Sequence, residues 1–360
     1  MWYTVSNAII STDRRVIAFI IASLLSFHGL RKRSLSKSGA VAAFFVGFVS
    51  FAASIRFGII LVLFYLTGSQ LTKLGAVKKA KLEESYVQGG QRSWIQVFAC
   101  SILATVCAIA YMYMVGEDQY IDFGATSGWA GKSGGNVTLL GITMTRRQLG
   151  SYLWALYLSH YACATADTWA SEVGVLSYEQ PVLITSLLLF RVKKVPHGTN
   201  GGVSKAGTIA SIAGGLVIGL AFFLSSFALG ITTIYNATRQ PDQGGMILLG
   251  GLAGFLGSTI DSLLGATLQA TYYSQDRKCI VKRRNGDKPD SSTVLVCGYD
   301  VLSNEGVNLV STLLTMVIST AAAPYLFCLF DSLQCPGGWG ARAAARTLNL
   351  VPRQSPLFAQ

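Results

Sequence analysis

The sequence predicts an all-α, polytopic integral membrane protein with about eight transmembrane helices. Hydrophobic residues make up 51% of the 360-residue chain, and the mean hydropathy is +0.46. Charged residues make up only 13%, which is about half of their usual share in a soluble domain. Apolar runs of membrane-crossing length recur along the chain. These observations argue against a soluble enzyme, a disordered protein and a secreted disulfide-rich scaffold.

Eight apolar runs account for the predicted spans in order along the chain. A helix needs about 20 apolar residues to cross the hydrocarbon core, and somewhat fewer where the bilayer thins around it. The first three runs are short, and the second and third are expected to form a tight pair around Arg56. The approximate bounds are 16–30, 38–53, 57–71, 94–115, 149–168, 207–234, 246–273 and 307–330.

The chain is expected to form one membrane unit with a short extension. Residues 1–335 are predicted to be a single polytopic membrane domain, because the apolar runs follow one another through this range. Residues 336–360 are rich in Gly, Ala and Arg and have no long apolar period. They are predicted to be a poorly ordered tail.

Basic residues are unevenly shared between the two sides of the predicted membrane domain. Four loops, around 31–37, 73–92, 191–205 and 277–288, hold 19 of the 29 Lys and Arg residues. The positive-inside rule assigns these loops to the cytosol. The net charge of +12 is then explained by membrane orientation, and no nucleic-acid partner is expected. The membrane itself stays open between endomembrane, plasma membrane and plastid envelope.

Glycines in the sixth and seventh runs predict closely packed helices. Gly250, Gly254 and Ser258 follow the small-xxx-small spacing that lets helix backbones approach. A short similarity also links residues 36–43 with residues 204–211, and each stretch leaves a basic loop and opens a span. The shared direction predicts a parallel internal repeat. Two helix N-termini would then face the same side, ready to bind phosphate groups.

Three carboxylates lie where the membrane makes charge costly. Asp167 and Glu172 stand at the cytosolic end of the fifth run, and Asp261 stands within the seventh. Ionisable residues inside spans usually mark functional sites. In one reading, Asp167 and Glu172 are interfacial and Asp261 bonds only neighbouring hydroxyls. In the other, all three converge on Mg²⁺, which takes one or two carboxylates together with substrate phosphates.

A glycine-rich turn between these carboxylates combines backbone flexibility with positive charge. Glycines let backbone N–H groups approach an anion closely, although such a turn is often only a turn. The flanking lysines and the position of the turn on the same side as Asp167 favour a phosphate cradle. The candidate phosphate-binding residues are Thr199, Asn200, Gly201, Gly202 and Lys205, with Lys37 and Arg92 as helpers.

Several stretches together form an ordered set of motifs. They are residues 167–177 (DTWASEVGVLS), 181–185 (PVLIT), 198–203 (GTNGGV), 89–92 (GGQR), 257–264 (GSTIDSLL) and Asn308. This set resembles the transmembrane protein 19 family, an integral membrane family formerly known as a domain of unknown function, which includes phytyl-phosphate kinases. The resemblance covers nearly all of residues 30–330.

The resemblance implies an isoprenyl monophosphate kinase at the cytosolic membrane face. Such an enzyme transfers a phosphoryl group from CTP or ATP to a prenyl phosphate in the bilayer, with Mg²⁺ bound by Asp167, Glu172 and Asp261. The acceptor phosphate is already an anionic nucleophile, so catalysis is positioning plus charge neutralisation. Two alternatives stay open. A transporter would line its path with polar residues and broken helices, and a regulatory or scaffold protein would use the glycines only for packing.

Overall fold

The computed structural model describes residues 2–82, 91–116, 118–123, 136–139, 141–231, 243–281 and 292–334. The predicted tail, residues 336–360, lies outside them. The helices are α1 Trp2–Arg31, α2 Lys37–Ala53, α3 Ile55–Leu71, α4 Ala76–Leu82, α5 Trp94–Ala99, α6 Ile102–Met114, α7 Arg146–Leu176, α8 Ile184–Leu188, α9 Lys205–Ala228, α10 Gly245–Leu268 and α11 Asn304–Gln334.

Short strands between the helices correct the all-α prediction. They are β1 Asn136–Leu139, β2 Ile142–Thr145, β3 Val182–Leu183, β4 Gly202–Val203, β5 Thr271–Ser274, β6 Cys279–Val281 and β7 Thr293–Cys297. Antiparallel pairing joins β1 to β2 and β3 to β4, and β5 lies between β6 and β7. The fold is still mainly helical, and the sheets arise because extended connections satisfy their backbone N–H and C=O groups by pairing.

Some of the predicted spans are present as long apolar helices. Among the described residues, Lys205–Ala228, Gly245–Leu268 and Asn304–Phe330 are long and apolar enough to cross a membrane. α2, α3 and α6 are shorter apolar helices. The fourth predicted span is broken at Cys100 and Ser101 into α5 and α6. A count of eight crossings therefore stays a prediction.

The expected tight pair around Arg56 is present as α2 and α3. Ser54 ends α2, and its Oγ accepts a hydrogen bond from the N–H of Arg56 to cap α3. The Arg56 side chain is fully buried, and its Nη2 lies 3.2 Å from Asp118 Oδ1. Its guanidinium also donates to Ser226 Oγ and stacks 4.5 Å from the centroid of Trp154. Arg56 is thus a buried structural cation.

α7 is the central helix of the bundle and contacts α3, α6, α9, α10 and α11. Its aromatic side chains form the core: Trp154, Tyr157 and Tyr161 are fully buried. Phe57 of α3 stacks on Trp154 with 3.8 Å between ring centroids. The ring contacts fix α3 against α7, and this fixes one wall of the candidate site.

Glycines bring α9 and α10 into backbone contact, which confirms the predicted glycine-rich packing. A Cβ added at Gly215 would lie 2.2 Å from the carbonyl oxygen of Gly250, and one at Gly254 would lie 2.8 Å from Gly215 Cα. Only residues without a side chain allow such an approach. The α9–α10 pair therefore packs as one unit against α7.

The similarity between residues 36–43 and 204–211 is visible as a shared helix start. Ser36 Oγ accepts from the N–H of Gly39 at 3.0 Å, and Ser204 Oγ accepts from the N–H of Gly207 at 3.1 Å. Both serines are therefore N-caps of the usual kind. A longer parallel repeat stays a prediction.

Candidate functional site

Two carboxylates from different helices meet at the centre of the site. α7 and α10 pack closely where Gly257 faces Cys163. A Cβ added at Gly257 would lie only 2.4 Å from Cys163 Sγ. Asp167 follows Cys163 by four residues on α7, and Asp261 follows Gly257 by four residues on α10. Four residues correspond to about one helical turn. Their side chains lie within hydrogen-bonding reach of each other. The close helix contact therefore positions the acidic pair.

The acidic pair provides oxygen donors of the kind that Mg²⁺ prefers. Ser311 Oγ of α11 donates to Asp261 Oδ2 at 2.9 Å, so a third helix orients one carboxylate. Two adjacent carboxylates repel each other, and a cation bound between them removes that repulsion. Carboxylates completed by substrate phosphates form the usual Mg²⁺ site. The residues present fit this ion.

Glu172 does not join the acidic pair, which corrects the prediction that three carboxylates converge. It stands five residues after Asp167 and is rotated by about 140° around the helix. Its carboxylate forms an ion pair with Lys79, whose Nζ also donates to the carbonyl of Leu71 at 3.0 Å. Over the described part of the chain, no three His, Cys, Asp or Glu side chains are placed to share a metal.

An open cavity of about 1410 Å³ surrounds the acidic pair. Most of the predicted site residues line it. They are Asp167, Glu172, Asp261, Thr199, Asn200, Gly201, Gly202 and Arg92. Lys37 and Lys205 are not in its wall: both are exposed, and Lys205 Nζ lies 3.9 Å from Glu179. Their positions on the surface correct the prediction that these lysines face the site.

Arg92 is held at the cavity by its own backbone. Its N–H donates to the carbonyl of Ser34 at 3.0 Å, and its carbonyl accepts from the N–H of Ser36 at 3.0 Å. A Cβ added at Gly68 would lie 3.3 Å from Nη2 of Arg92, so the guanidinium lies against α3. The loop before α5 thus brings a permanent positive charge into the wall.

The glycine-rich turn uses several of its N–H groups within the protein. The N–H of Thr199 donates to the carbonyl of Pro196, and the N–H of Gly202 donates to the carbonyl of Thr199. The N–H of Asn200 donates to Thr271 Oγ1. A phosphate cradle built from these three N–H groups does not match this geometry. The turn still faces the cavity, because residues 197–204 line it.

Gly201 explains why the turn needs glycine. Its φ is +72°, and a Cβ there would lie 2.4 Å from Ala266 Cβ and 2.5 Å from the carbonyl oxygen of Ser262. The turn therefore lies directly on α10, one turn beyond Asp261. Its glycine serves close packing and a left-handed backbone rather than anion binding alone.

A helix break forms another part of the wall. The carbonyl of Cys100, where α5 ends, lies 2.9 Å from Nε2 of the buried His160 on α7. Cys100 and Ser101 both line the cavity. Non-helical backbone inside a membrane protein is tolerated where it is buried or lines a cavity. A continuous apolar run gave no sequence signal for this break.

Sequence reasoning also missed the polar face of α11. Ser311, Thr315 and Ser319 are almost fully buried and recur every four residues. Asn308 precedes them and lines the cavity. Hydroxyl side chains at helical spacing within an apolar run were the available signal, because such a stripe must face other protein groups.

The cavity has an apolar limb as well as a polar part. The apolar limb runs between α1, α2 and α3, and six of its lining residues are Ala22, Leu25, Ala43, Val46, Leu61 and Phe64. The polar part carries Arg92 and the acidic pair. One continuous space thus joins charged groups to an apolar slot within the helices.

His197 lies at the polar edge of the same cavity. Burial, and then the positive charge of Lys78, lower the pKa of this imidazole. The ring is therefore neutral near pH 7, because the ordinary pKa of a histidine is about 6.5.

Comparisons with known proteins agree with the resemblance of the motifs. Protein PGR of Arabidopsis thaliana is 37% identical over 316 residues, which cover 87% of this chain and 98% of that protein. An uncharacterized membrane protein of Methanocaldococcus jannaschii is 25% identical over 308 residues, 85% and 92% of the two chains. Protein VTE6, chloroplastic, of Arabidopsis thaliana is 25% identical over 256 residues, 71% and 61% of the two chains.

No solved structure matches this chain. The family described as integral membrane protein DUF92 matches residues 20–316, which is most of the chain and includes every residue of the polar site. The protein is therefore an integral membrane protein, and it belongs to the DUF92 family.

Proposed function

We propose that the protein is an isoprenyl monophosphate kinase that uses a nucleoside triphosphate. One observation carries the proposal: a single cavity joins an acidic pair and Arg92 to an apolar limb between α1, α2 and α3. An amphiphile with a phosphate head and a thin hydrocarbon tail matches both parts. The phytyl-phosphate kinases that the motifs resemble act on such a molecule.

Asp167 and Asp261 would hold Mg²⁺ in this proposal, together with phosphate oxygens. The bound ion would neutralise charge on the phosphates of both substrates. Arg92 adds a fixed positive charge to the same wall, and Ser311 holds Asp261 in its orientation. These groups supply the positioning and charge neutralisation that phosphoryl transfer requires.

The transfer itself needs no strong general base. An oxygen of the acceptor monophosphate forms a bond to the γ-phosphorus, and the bond from that phosphorus to the β–γ bridging oxygen breaks. The nucleoside diphosphate leaves with that electron pair, and the product is the prenyl diphosphate. The acceptor is already an anion near neutral pH, so the residues need only align it in line with the leaving oxygen.

The direction of approach also supports a nucleotide substrate. The cavity is lined by Leu35, by Lys79 of α4 and by residues 197–204. These residues belong to three of the basic loops that the positive-inside rule assigns to the cytosol. A nucleoside triphosphate would reach the acidic pair from water, while the prenyl chain would enter from lipid.

The test is phosphoryl transfer by the full-length protein in membranes. γ-Labelled CTP or ATP, Mg²⁺ and prenyl monophosphates are supplied, and label is followed into prenyl diphosphate. Asp167→Asn and Asp261→Asn are expected to lower the rate at least ~100-fold, the size of effect seen when a key electrostatic group is lost. Asp300→Asn, an exposed carboxylate at the rim, serves as the control and is expected to retain activity. Absence of transfer by folded wild-type protein would refute the proposal.

A second candidate function is transport of an amphiphile. The break between α5 and α6, which lines the cavity, favours it, because transporters form their sites from discontinuous helices. Flux of a labelled prenyl phosphate across proteoliposomes, independent of nucleotide, would support transport. Nucleotide-dependent transfer without flux would support the kinase.

A further inference from the structure

We infer that the apolar limb holds the isoprenoid chain of the acceptor and that its depth sets the chain length the protein accepts. This inference rests on the proposed function, because it assigns a place to the tail of the proposed acceptor. It commits to one occupant, a single thin isoprenoid chain attached to a phosphate.

The limb begins beside the phosphate-binding part and runs away from it. The N-terminus of α2 contacts the backbone of Arg92, and Gly68 near the end of α3 lies beside its guanidinium. α2 therefore leaves the polar end and α3 returns to it. With a rise of 1.5 Å per residue, Ala43 lies ~9 Å and Gly47 ~15 Å from Lys37 along α2. Position along α2 thus measures depth in the limb.

The limb is narrow at the depth of Gly47. A Cβ added at Gly47 would lie 3.4 Å from Ala22 Cβ, so α1 and α2 are close together there. Ala22 is 1% exposed and Val46 is 2% exposed, although both line the limb. A bilayer lipid would bring two acyl chains and fits such a slot poorly. One prenyl chain is proposed to enter with its phosphate held at the polar end.

The narrow end predicts how substitutions change substrate preference. Ala43→Phe fills the limb at about 9 Å and leaves room only for a short chain. Leu61→Ala removes bulk from the opposite wall on α3 and lengthens the limb. The two variants are expected to shift the preferred chain length in opposite directions. Leu61→Ala is expected to raise activity with longer chains, and misfolding cannot produce such a gain.

The control is Val41→Phe, because Val41 lies on the opposite face of α2. Val41 is 59% exposed on the outer surface of the bundle, whereas Ala43 lines the limb. Both variants add the same aromatic ring to the same helix, two residues apart. Only the variant at 43 is expected to change chain-length preference.

The first measurement compares kcat/KM for geranyl, farnesyl and phytyl monophosphate with γ-labelled nucleotide. Ala43→Phe is expected to lower the value for phytyl monophosphate at least ~10-fold relative to that for geranyl monophosphate, the range that apolar pockets achieve. Val41→Phe is expected to keep the wild-type ratio. Unchanged ratios in Ala43→Phe and Leu61→Ala, with active wild type, would overturn the inference and leave the kinase proposal intact.

The second measurement does not require transfer. A farnesyl monophosphate with a photoreactive diazirine at the far end of its chain is cross-linked to the protein in membranes, and the labelled peptides are identified. Label on α1, α2 and α3 near Ala22 and Leu61, lost in Ala43→Phe, is expected. Label elsewhere would overturn the inference. Label in the limb without phosphoryl transfer would refute the kinase while supporting the tail site.

Discussion

The contact between Gly257 and Cys163 is expected to control catalysis without touching the substrate. A Cβ at position 257 would lie 2.4 Å from Cys163 Sγ, 2.7 Å from its Cβ and 3.0 Å from its Cα. Ordinary contact begins near 3.4 Å, so Gly257→Ala must move α10 away from α7 by up to about 1 Å. Asp261 stands one turn further along α10, so its distance from Asp167 changes with the helix.

A displacement of this size has a known cost in catalysis. A shift of about 1 Å in a catalytic group can cost ~100-fold in rate, whereas overpacking a helix contact costs about 1–3 kcal/mol of stability. Gly257→Ala is therefore expected to keep the fold and to lose activity. The assay is label transfer from γ-labelled nucleotide to prenyl monophosphate, with a thermal unfolding scan of the same preparation.

Two further variants make the reasoning refutable. Gly251→Ala is the matched control on the same helix, because its Cβ meets only the flexible Leu216 side chain at 2.8 Å. Gly257→Ala combined with Cys163→Gly removes the two nearest atoms, Sγ and Cβ of Cys163, and is expected to recover activity, a coupling that a double-mutant cycle measures. Equal activity in Gly257→Ala and Gly251→Ala would refute this account of how the acidic pair is positioned.

Three other predictions concern stability. Arg56→Met leaves Asp118 without its buried partner and is expected to cost about 3 kcal/mol, while the double variant with Asp118→Asn loses less; thermal unfolding measures both. Gly201→Ala places a Cβ 2.4 Å from that of Ala266 at a positive φ and is expected to cost about 1–3 kcal/mol, and equal melting temperatures would contradict this. His197 has a lowered pKa in the folded state, so the unfolded chain binds the proton more readily. The free energy of unfolding should therefore fall as pH drops below about 6.5. His197→Gln should lose less melting temperature than the wild type over the same drop in pH.

Asp167 and Asp261 were singled out in the sequence, together with Glu172, because charge inside apolar runs is costly. Asp167 and Asp261 stand 94 positions apart in the chain, and the glycine spacing of the seventh run indicated that close packing around Asp261 was possible. Glu172 was grouped with them because it is near Asp167 in sequence. The helical rotation between the two residues directs it instead to Lys79. Spacing along the helix was thus informative where proximity in sequence was misleading.

The remaining errors have a common physical cause. Lys37 and Lys205 were assigned to the site because charge counting gives the side of the membrane, but it does not give the direction of a side chain. No partner was predicted for Arg56, because Asp118 is 62 positions away in the chain. The break at Cys100 depends on His160 from another helix. In each case the deciding interaction is tertiary, and a single sequence does not display it.

Asp167 and Asp261 are proposed to share a divalent cation together with a substrate phosphate. The most direct measurement is Mn²⁺ binding to the purified protein, followed by electron paramagnetic resonance, with and without farnesyl monophosphate. Binding that strengthens with the phosphate, and is lost in Asp167→Asn and Asp261→Asn but kept in Asp300→Asn, is the predicted result. Mn²⁺ binding that is absent, or equal in all four proteins, would contradict the account.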